Sequence, residues 1–433
     1  MKSKNKHAVS RRNFLKSSAT AAAGFMILPR HTLGGSEFLA PSDRINLGYI
    51  GTGKQAQGLL HNIGAVRETM VLAVCDVDQK KRAHFANKAT ELNRQKAAHP
   101  VDVYADYREL LDRADIDAVV VASPDHWHAL QVIDAAKRGK DIYCEKPLAL
   151  SIEEGRAMVD AVRKYKRVLQ TGSMQRSQYN FRQAAWLVRN GYLGQIQEIH
   201  VSVGEPVKQC DLPSMPIPDY LDWDMWVGPS LYRGYHPILS PPIEDDAWAW
   251  WRGYRDFGGG YITDWGAHMF DIVQWALDMD HSGPVSFVPP ETPGAEEGLY
   301  FTYANGVRVH HRHWGESNAI QFLGSEGTIE VSREFLRTQP GSLASLAPKS
   351  SDKPVYHSDN HYQDWIDAIK KRSKPICDVE IGHRTSSVCN AINIAYELQR
   401  PLQWNPKKEV FDDPYANLMR GRPYRKHWDF RDF

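Results

Sequence analysis

The chain has 433 residues, 42% hydrophobic and 24% charged, with 53 basic residues against 52 acidic ones. That length and balance suit two or three packed domains and exclude a disordered chain or a lone small module. The formal net charge of +1 hides two opposite parts: the first 36 residues hold seven bases and no acid, and the remainder sets 46 bases against 52 acids, a net of −6. A body with that deficit lacks the positive excess that binds phosphate backbones, so nucleic acid is not an expected partner.

Ser10-Arg11-Arg12-Asn13-Phe14-Leu15-Lys16 fits the twin-arginine export pattern and precedes a short Ala-rich run at 19–28. Residues 1–36 are therefore expected to be a signal peptide, cleaved between 22 and 36, and the mature protein to work in the periplasm or beyond it. Past this leader no run approaches the ~18 apolar residues of a membrane span. Cys75, Cys144, Cys210, Cys377 and Cys389 lack metal-ligand spacing and are expected to be small buried hydrophobes.

From Arg44 short β-branched runs alternate with helical stretches, the signature of a parallel α/β layer. Strands are predicted at 45–50, 71–75, 101–104, 118–122, 141–144 and 168–171, with a helix at 127–138 among the connections, and together they outline a domain at 44–170. Gly51-Thr52-Gly53-Lys54-Gln55-Ala56 ends the first strand and opens a helix. Gly51 permits the tight turn, Gly53 lets backbone approach a pyrophosphate, and Ala56 allows close helix packing. The helix N-terminus adds free N–H donors and positive dipole. Asp76, 23 residues past Gly53 at the tip of the second strand, would accept ribose hydroxyls and favours NAD. Lys80, Lys81 and Arg82 could shelter a 2′-phosphate and keep NADP open. Ser123, Pro124 and His128 follow the fourth strand, where they would touch the same cofactor. Ser151-Ile152-Glu153-Glu154 reads as a reciprocal capping box.

A second domain is expected at 171–358, with C-terminal helices and a wrapping tail at 359–433. Strands at 198–203, 285–288, 299–303, 307–313, 319–323 and 328–331 read as an open, mainly antiparallel sheet. Asn305-Gly306 marks a hairpin at which both residues tolerate positive φ. The insert at 204–260 is rich in Pro and Trp, 335–358 reads as a surface loop, and helices return at 362–371 and 384–398. An exposed open sheet commonly finds a partner, so a homo-oligomer is expected.

Two segments carry chemistry. Glu145-Lys146-Pro147 follows the fifth strand, at the sheet edge where ligands of open α/β sheets bind. Gly258-Gly259-Gly260 leads into a predicted helix on which Asp264, His268 and Asp271 share one face at i, i+4 and i+7. With these motifs in this order, the chain from Ile45 onward resembles the Gfo/Idh/MocA oxidoreductase family. The resemblance implies a Rossmann dinucleotide domain joined to an open-sheet α/β domain, with sugars or cyclitols held between them against nicotinamide. It also implies Lys146, Asp264 and His268 as the catalytic set. A neutral imidazole suits the base that removes a hydroxyl proton, hence His268. Lys146 would stabilise the developing alkoxide, Asp264 would orient His268 or grip a neighbouring hydroxyl, and Glu145 would position Lys146 beside the cofactor.

Gln175, Arg176 and Tyr179 follow the sixth strand, where the family often places substrate contacts; an ordinary loop-to-helix junction is the alternative. The tryptophans between Trp223 and Trp265 could face a sugar or be buried. Gly382-His383-Arg384 could reach the cleft or cap its helix. Of His310, His311 and His313 only the last two share a strand face, so no metal is expected. The function expected is NAD(P)-dependent oxidation of a secondary hydroxyl of a sugar or glycoside. Its alternatives are a redox-neutral glycosidase working through a transient 3-keto sugar, and a non-catalytic carbohydrate or nucleotide-binding protein.

Overall fold

The computed structural model describes residues 43–94, 96, 100–425 and 428–430. The twin-arginine pattern and its predicted cleavage region lie outside them. The first layer alternates β1 (Ile45–Ile50), α1 (Lys54–Gly64), β2 (Thr69–Cys75), α2 (Gln79–Arg94), β3 (Asp102–Tyr104), α3 (Tyr107–Leu111), β4 (Ala118–Val121), α4 (Asp125–Lys137), β5 (Asp141–Cys144), α5 (Ile152–Lys164) and β6 (Leu169–Thr171). The strands pair in parallel in the order β3-β2-β1-β4-β5-β6. Every residue of β2, β4 and β5 is buried, as near-continuous apolar strands must be when helices cover both faces of a parallel sheet. The strand order reverses between β1 and β4, which opens a crevice at their carboxyl ends.

The second layer begins with α6 (Tyr179–Arg189) and β7 (Ile196–Ser202) and continues, after the insert, through α7 (Trp223–Val227), α8 (Tyr261–Asp264) and α9 (Gly266–Ala276). There follow β8 (Ser286–Val288), β9 (Tyr300–Thr302), β10 (Arg308–His311), β11 (Ala319–Gly324), β12 (Thr328–Val331), β13 (Leu336–Gln339), α10 (His361–Lys371), α11 (Val379–Leu398), β14 (Leu402–Asn405), β15 (Val410–Phe411) and α12 (Pro414–Leu418). The nine strands run β13-β12-β11-β7-β10-β9-β8-β14-β15, with only β7 and β10 parallel among those pairs. Phe270 and Ile272 of α9 and Ile392 of α11 pack with Ile199, Phe301 and Phe322 of the sheet. In the other direction, Trp365 and Ile366 of α10 pack with Tyr49, Val120 and Tyr143 of the first sheet, and the two layers form one compact unit.

Several local expectations are corrected. The stretch read as a surface loop at 335–358 contributes β13, and the tail joins the sheet edge through β14 and β15 rather than only wrapping the body. In the Asn305-Gly306 turn only Gly306 has positive φ, at +87°. Its N–H donates to Tyr303 O at 2.9 Å while Tyr303 N donates to Val307 O at 3.0 Å, a bulged hairpin instead of a two-residue one. Ser151 caps α5 by accepting from Glu154 N, but the Glu154 carboxylate accepts from Arg422 Nε at 2.7 Å, so the reciprocal half of the capping box is missing.

Candidate active site

The crevice at β1 and β4 holds a cavity of about 390 Å³. Gly51, at φ +86°, lies against the β4–α4 turn, where a Cβ would come within 2.5 Å of Ser123 N. A Cβ on Gly53 would meet open space, and Gly53 precedes α1 with no side-chain cap on the first-turn N–H groups. Backbone donors and dipole are thus presented to the cavity as a pyrophosphate requires. Asp76 is fixed at the ribose end: Oδ2 accepts from Thr52 N at 2.8 Å and Thr52 Oγ1 at 2.9 Å, and Oδ1 from Asp78 N at 2.9 Å. The cations beside it are engaged elsewhere, Arg82 with the Asp76 carbonyl, Lys80 with Glu244, and Lys81 with Ser240 and Asp78. The residues present fit NAD.

Gly51, Thr52, Gly53, Lys54, Gln55, Asp76, Ser123 and Pro124 all line this cavity. Glu145 stands beyond it, its Oε1 accepting from Gln55 Nε2 at 2.9 Å. His128 does not reach the cavity. It is buried with Nδ1 facing Pro147 O at 2.9 Å and Nε2 facing Ser123 O at 3.0 Å, so it braces the β4–α4 and β5–α5 turns against each other. The roof comes from the insert, through Trp226, Pro241, Trp248, Trp251 and Arg252. An apolar cluster of its own, including Trp223, Trp226, Leu239, Trp251 and Phe257, stiffens the insert, while Trp248 remains exposed.

At the carboxyl end of β5, Lys146 Nζ lies 2.5 Å from Asp264 Oδ1 and 3.1 Å from the Asp264 carbonyl. An ammonium has three donors, so one remains for a substrate oxygen. Arg252 Nε approaches the same Asp264 oxygen at 3.6 Å. Burial works against the charge of Asp264, but Lys146 and Arg252 hold its carboxyl below the usual carboxylate range. Burial pushes Glu145 and Asp125 upward despite those same cations. His268 is buried, its Nδ1 unpartnered, its ring 5.8 Å from that of Trp265. Burial, then the positive charges of Lys146 and Arg333, press its pKa well below the ordinary 6.5. The imidazole is therefore neutral at pH 7 and able to accept a proton.

The helix expected to carry Asp264, His268 and Asp271 on one face is broken at Trp265, between α8 and α9. Asp264 pairs with Lys146, while His268 Nδ1 has no partner. Asp271 faces Arg176, which binds it through Nε at 2.7 Å and Nη2 at 2.8 Å and also grips Asp280. Arg176 is thus a buried structural cation rather than a substrate contact. Tyr179 is 56% exposed and lines neither of the two cavities described here. Gln175 is buried with Oε1 unpartnered and Nε2 4.0 Å from Met269 Sδ, next to His268 in sequence. His383 and Arg384 are taken up by Glu409 and Glu380 rather than by the cleft. A smaller cavity of about 70 Å³ adjoins Asp264 and Arg252, walled by Glu205, Trp250 and Tyr261.

Sequence reasoning missed Arg333, which follows β12 and stacks its guanidinium carbon 4.5 Å over Trp265. It also left Arg252 as a mere neighbour of tryptophans, although that adjacency was the available signal. His311 binds Tyr396 and Val203 O, and among the described residues no group of three His, Cys, Asp or Glu could hold a metal. Four of the five cysteines are buried, Cys210 partly so.

A dinucleotide cradle whose wall residue Arg252 reaches the Lys146–Asp264 pair, together with a neutral buried histidine, defines an NAD(P)-dependent oxidoreductase. The chain belongs to the Gfo/Idh/MocA family: residues 45–173 match its NAD-binding Rossmann fold and residues 189–430 its C-terminal alpha/beta domain. The uncharacterized oxidoreductase YrbE of Bacillus subtilis is 29% identical over 383 residues, covering 83% of this chain and 96% of that one. A glycosyl hydrolase family 109 protein of Shewanella baltica is 31% identical over 169 residues, 36% of this chain and 37% of its own length. The solved structure of an aldose-aldose oxidoreductase from Caulobacter crescentus, complexed with glycerol, shares the fold at a TM-score of 0.58 and 18% identity, covering 83% and 99% of the two chains.

Proposed function

We propose that this enzyme oxidises a secondary hydroxyl of a sugar or glycoside, with C3 of a glucoside as the reference case, while keeping its dinucleotide bound. The Lys146–Asp264 pair at the end of β5, joined to the dinucleotide cavity through Arg252 and close enough for the Lys146 charge to act on the neutral His268, carries this reading. The third donor of Lys146 binds the hydroxyl oxygen, His268 accepts its proton, and Asp264 holds the ammonium in place as charge develops on that oxygen. Bound NAD supplies the acceptor for the hydride that leaves carbon as C–O becomes C=O. Return of hydride and proton to a second carbonyl compound restores the starting state.

The Ser10–Lys16 pattern supports export through the twin-arginine route to the periplasm, where no nicotinamide pool exists to exchange with. Retention of the cofactor is supported by the insert that roofs the cavity. It ties to the nucleotide layer through Lys54–Asp246 at 3.0 Å, Lys80–Glu244 at 3.1 Å and Gln79 N donating to Tyr220 O at 2.8 Å. Denaturing the purified protein should release nicotinamide dinucleotide, and release of none would refute retention. A homo-oligomer built on the open sheet belongs to the same proposal, and light scattering tests it. No helix among the described residues is long and apolar enough to cross a membrane.

The likeness to a protein named as a glycosyl hydrolase supports a second reading. A transient 3-keto sugar acidifies the C2 proton, which permits elimination of the C1 substituent and water addition before the hydride returns. Release of nitrophenol from a nitrophenyl glycoside without added acceptor would select this reading over net oxidation. A non-catalytic binding role would require that Lys146→Ala and His268→Ala each leave turnover unchanged.

A further inference from the structure

Three cations converge on one ionised carboxylate beside the reacting centre. Asp264 receives Lys146 at 2.5 Å and Arg252 at 3.6 Å, and the charge of Arg333 reaches it as well. Glu145 and Asp125 beside this cluster are buried, and burial pushes both carboxyls upward. Lys146 gives two of its three donors to Asp264, and Arg252 is held by the Ala249 carbonyl at 3.0 Å and the Trp251 ring at 4.3 Å.

Arg333 is arranged differently. It sits exposed in the turn between β12 and β13 with its guanidinium 4.5 Å over Trp265, an indole whose ring lies 5.8 Å from that of His268. Among the described residues it makes no ion pair. The adjacent Glu334 is turned to the Ser332 hydroxyl, which donates to it at 2.9 Å. A guanidinium seated on an aromatic plate with its N–H fork unused is arranged to receive a planar, bidentate anion. A sugar ring that offers one hydroxyl to His268 can present a substituent at its other end to Arg333.

We propose that Arg333 determines specificity by binding a carboxylate of the substrate, so that the enzyme takes uronides in preference to the corresponding neutral glycosides. The proposal rests on the carbohydrate-oxidoreductase reading above. It is tested on the holoenzyme by following reduction of the bound cofactor with matched pairs of methyl glycosides and methyl uronides of the gluco, galacto and manno series. At least one uronide should show kcat/KM about tenfold above its neutral partner. Arg333→Gln should abolish that preference, chiefly by raising KM for the uronide, and Arg333→Lys should recover part of it. Unchanged dinucleotide content and an unchanged thermal unfolding midpoint show that the variant is folded.

Equal kcat/KM within every pair overturns the proposal, as does an Arg333→Gln variant that lowers kcat for both members alike, since Arg333 would then serve the developing alkoxide. No reduction by any sugar of either kind refutes the carbohydrate reading itself, and the proposal with it.

Discussion

Asp264→Asn separates two roles that residue spacing alone could not distinguish. Asparagine keeps an oxygen that accepts from Lys146 and removes the charge that faces Lys146 at 2.5 Å and Arg252 at 3.6 Å. At an effective dielectric near 20, two unit charges about 4 Å apart interact by about 4 kcal/mol. Part of this is offset because Asn is less costly to bury than a carboxylate, so a net loss of about 2 kcal/mol follows for these largely buried groups, or roughly 30-fold in kcat/KM. The assay is single-turnover reduction of the bound cofactor, run in a double-mutant cycle. Because Asp264 acts through Lys146, Asp264→Asn should add less than about threefold to the defect of Lys146→Ala but nearly its full effect to that of His268→Ala. The reverse pattern, with the effect vanishing in the His268→Ala background, would refute the assignment and restore Asp264 as the partner of the histidine.

His268 acts in its neutral form, and its pKa lies well below 6.5. Activity should therefore persist as pH falls through 6.5 and fail only below it, and an acid limb of kcat/KM centred at or above 6.5 would contradict the buried-base account. Gly51→Ala places a Cβ 2.5 Å from Ser123 N at φ +86°. It should cost about 1–3 kcal/mol of backbone strain and empty the nucleotide site, read as dinucleotide content after purification. Arg176→Met leaves Asp271 and Asp280 without their cation inside the protein and should destabilise the fold by about 3–5 kcal/mol in denaturant titration. An unchanged stability with a raised KM would return Arg176 to the substrate.

Local patterns proved legible. The Gly51–Gly53 turn and Asp76 follow from backbone rules acting within one strand–turn–helix unit, and the structure brings Gly51, Gly53 and Asp76 to one cavity wall. The parallel and antiparallel layers were likewise readable from strand spacing. Arg176 was misread because its partners lie 95 and 104 residues away, where no local pattern reports a buried ion pair. The i, i+4 reading of Asp264 and His268 assumed an unbroken helix, whereas α8 and α9 part at Trp265 and the carboxylate pairs with Lys146, 118 residues away. The cavity roof was hidden because the insert at 204–260 is fixed by clustered tryptophans and irregular turns rather than by a period. Arg333 became visible only when the β12–β13 turn was placed over Trp265.

The central claim is that the protein carries its own redox cofactor to a carbohydrate. It is tested most directly by mass spectrometry of the dinucleotide released on denaturation, before and after incubation with the glycoside and uronide panel. The account predicts stoichiometric NAD that becomes NADH when a substrate is present and no acceptor is added. Absence of dinucleotide, or a redox state that no sugar changes, would contradict it.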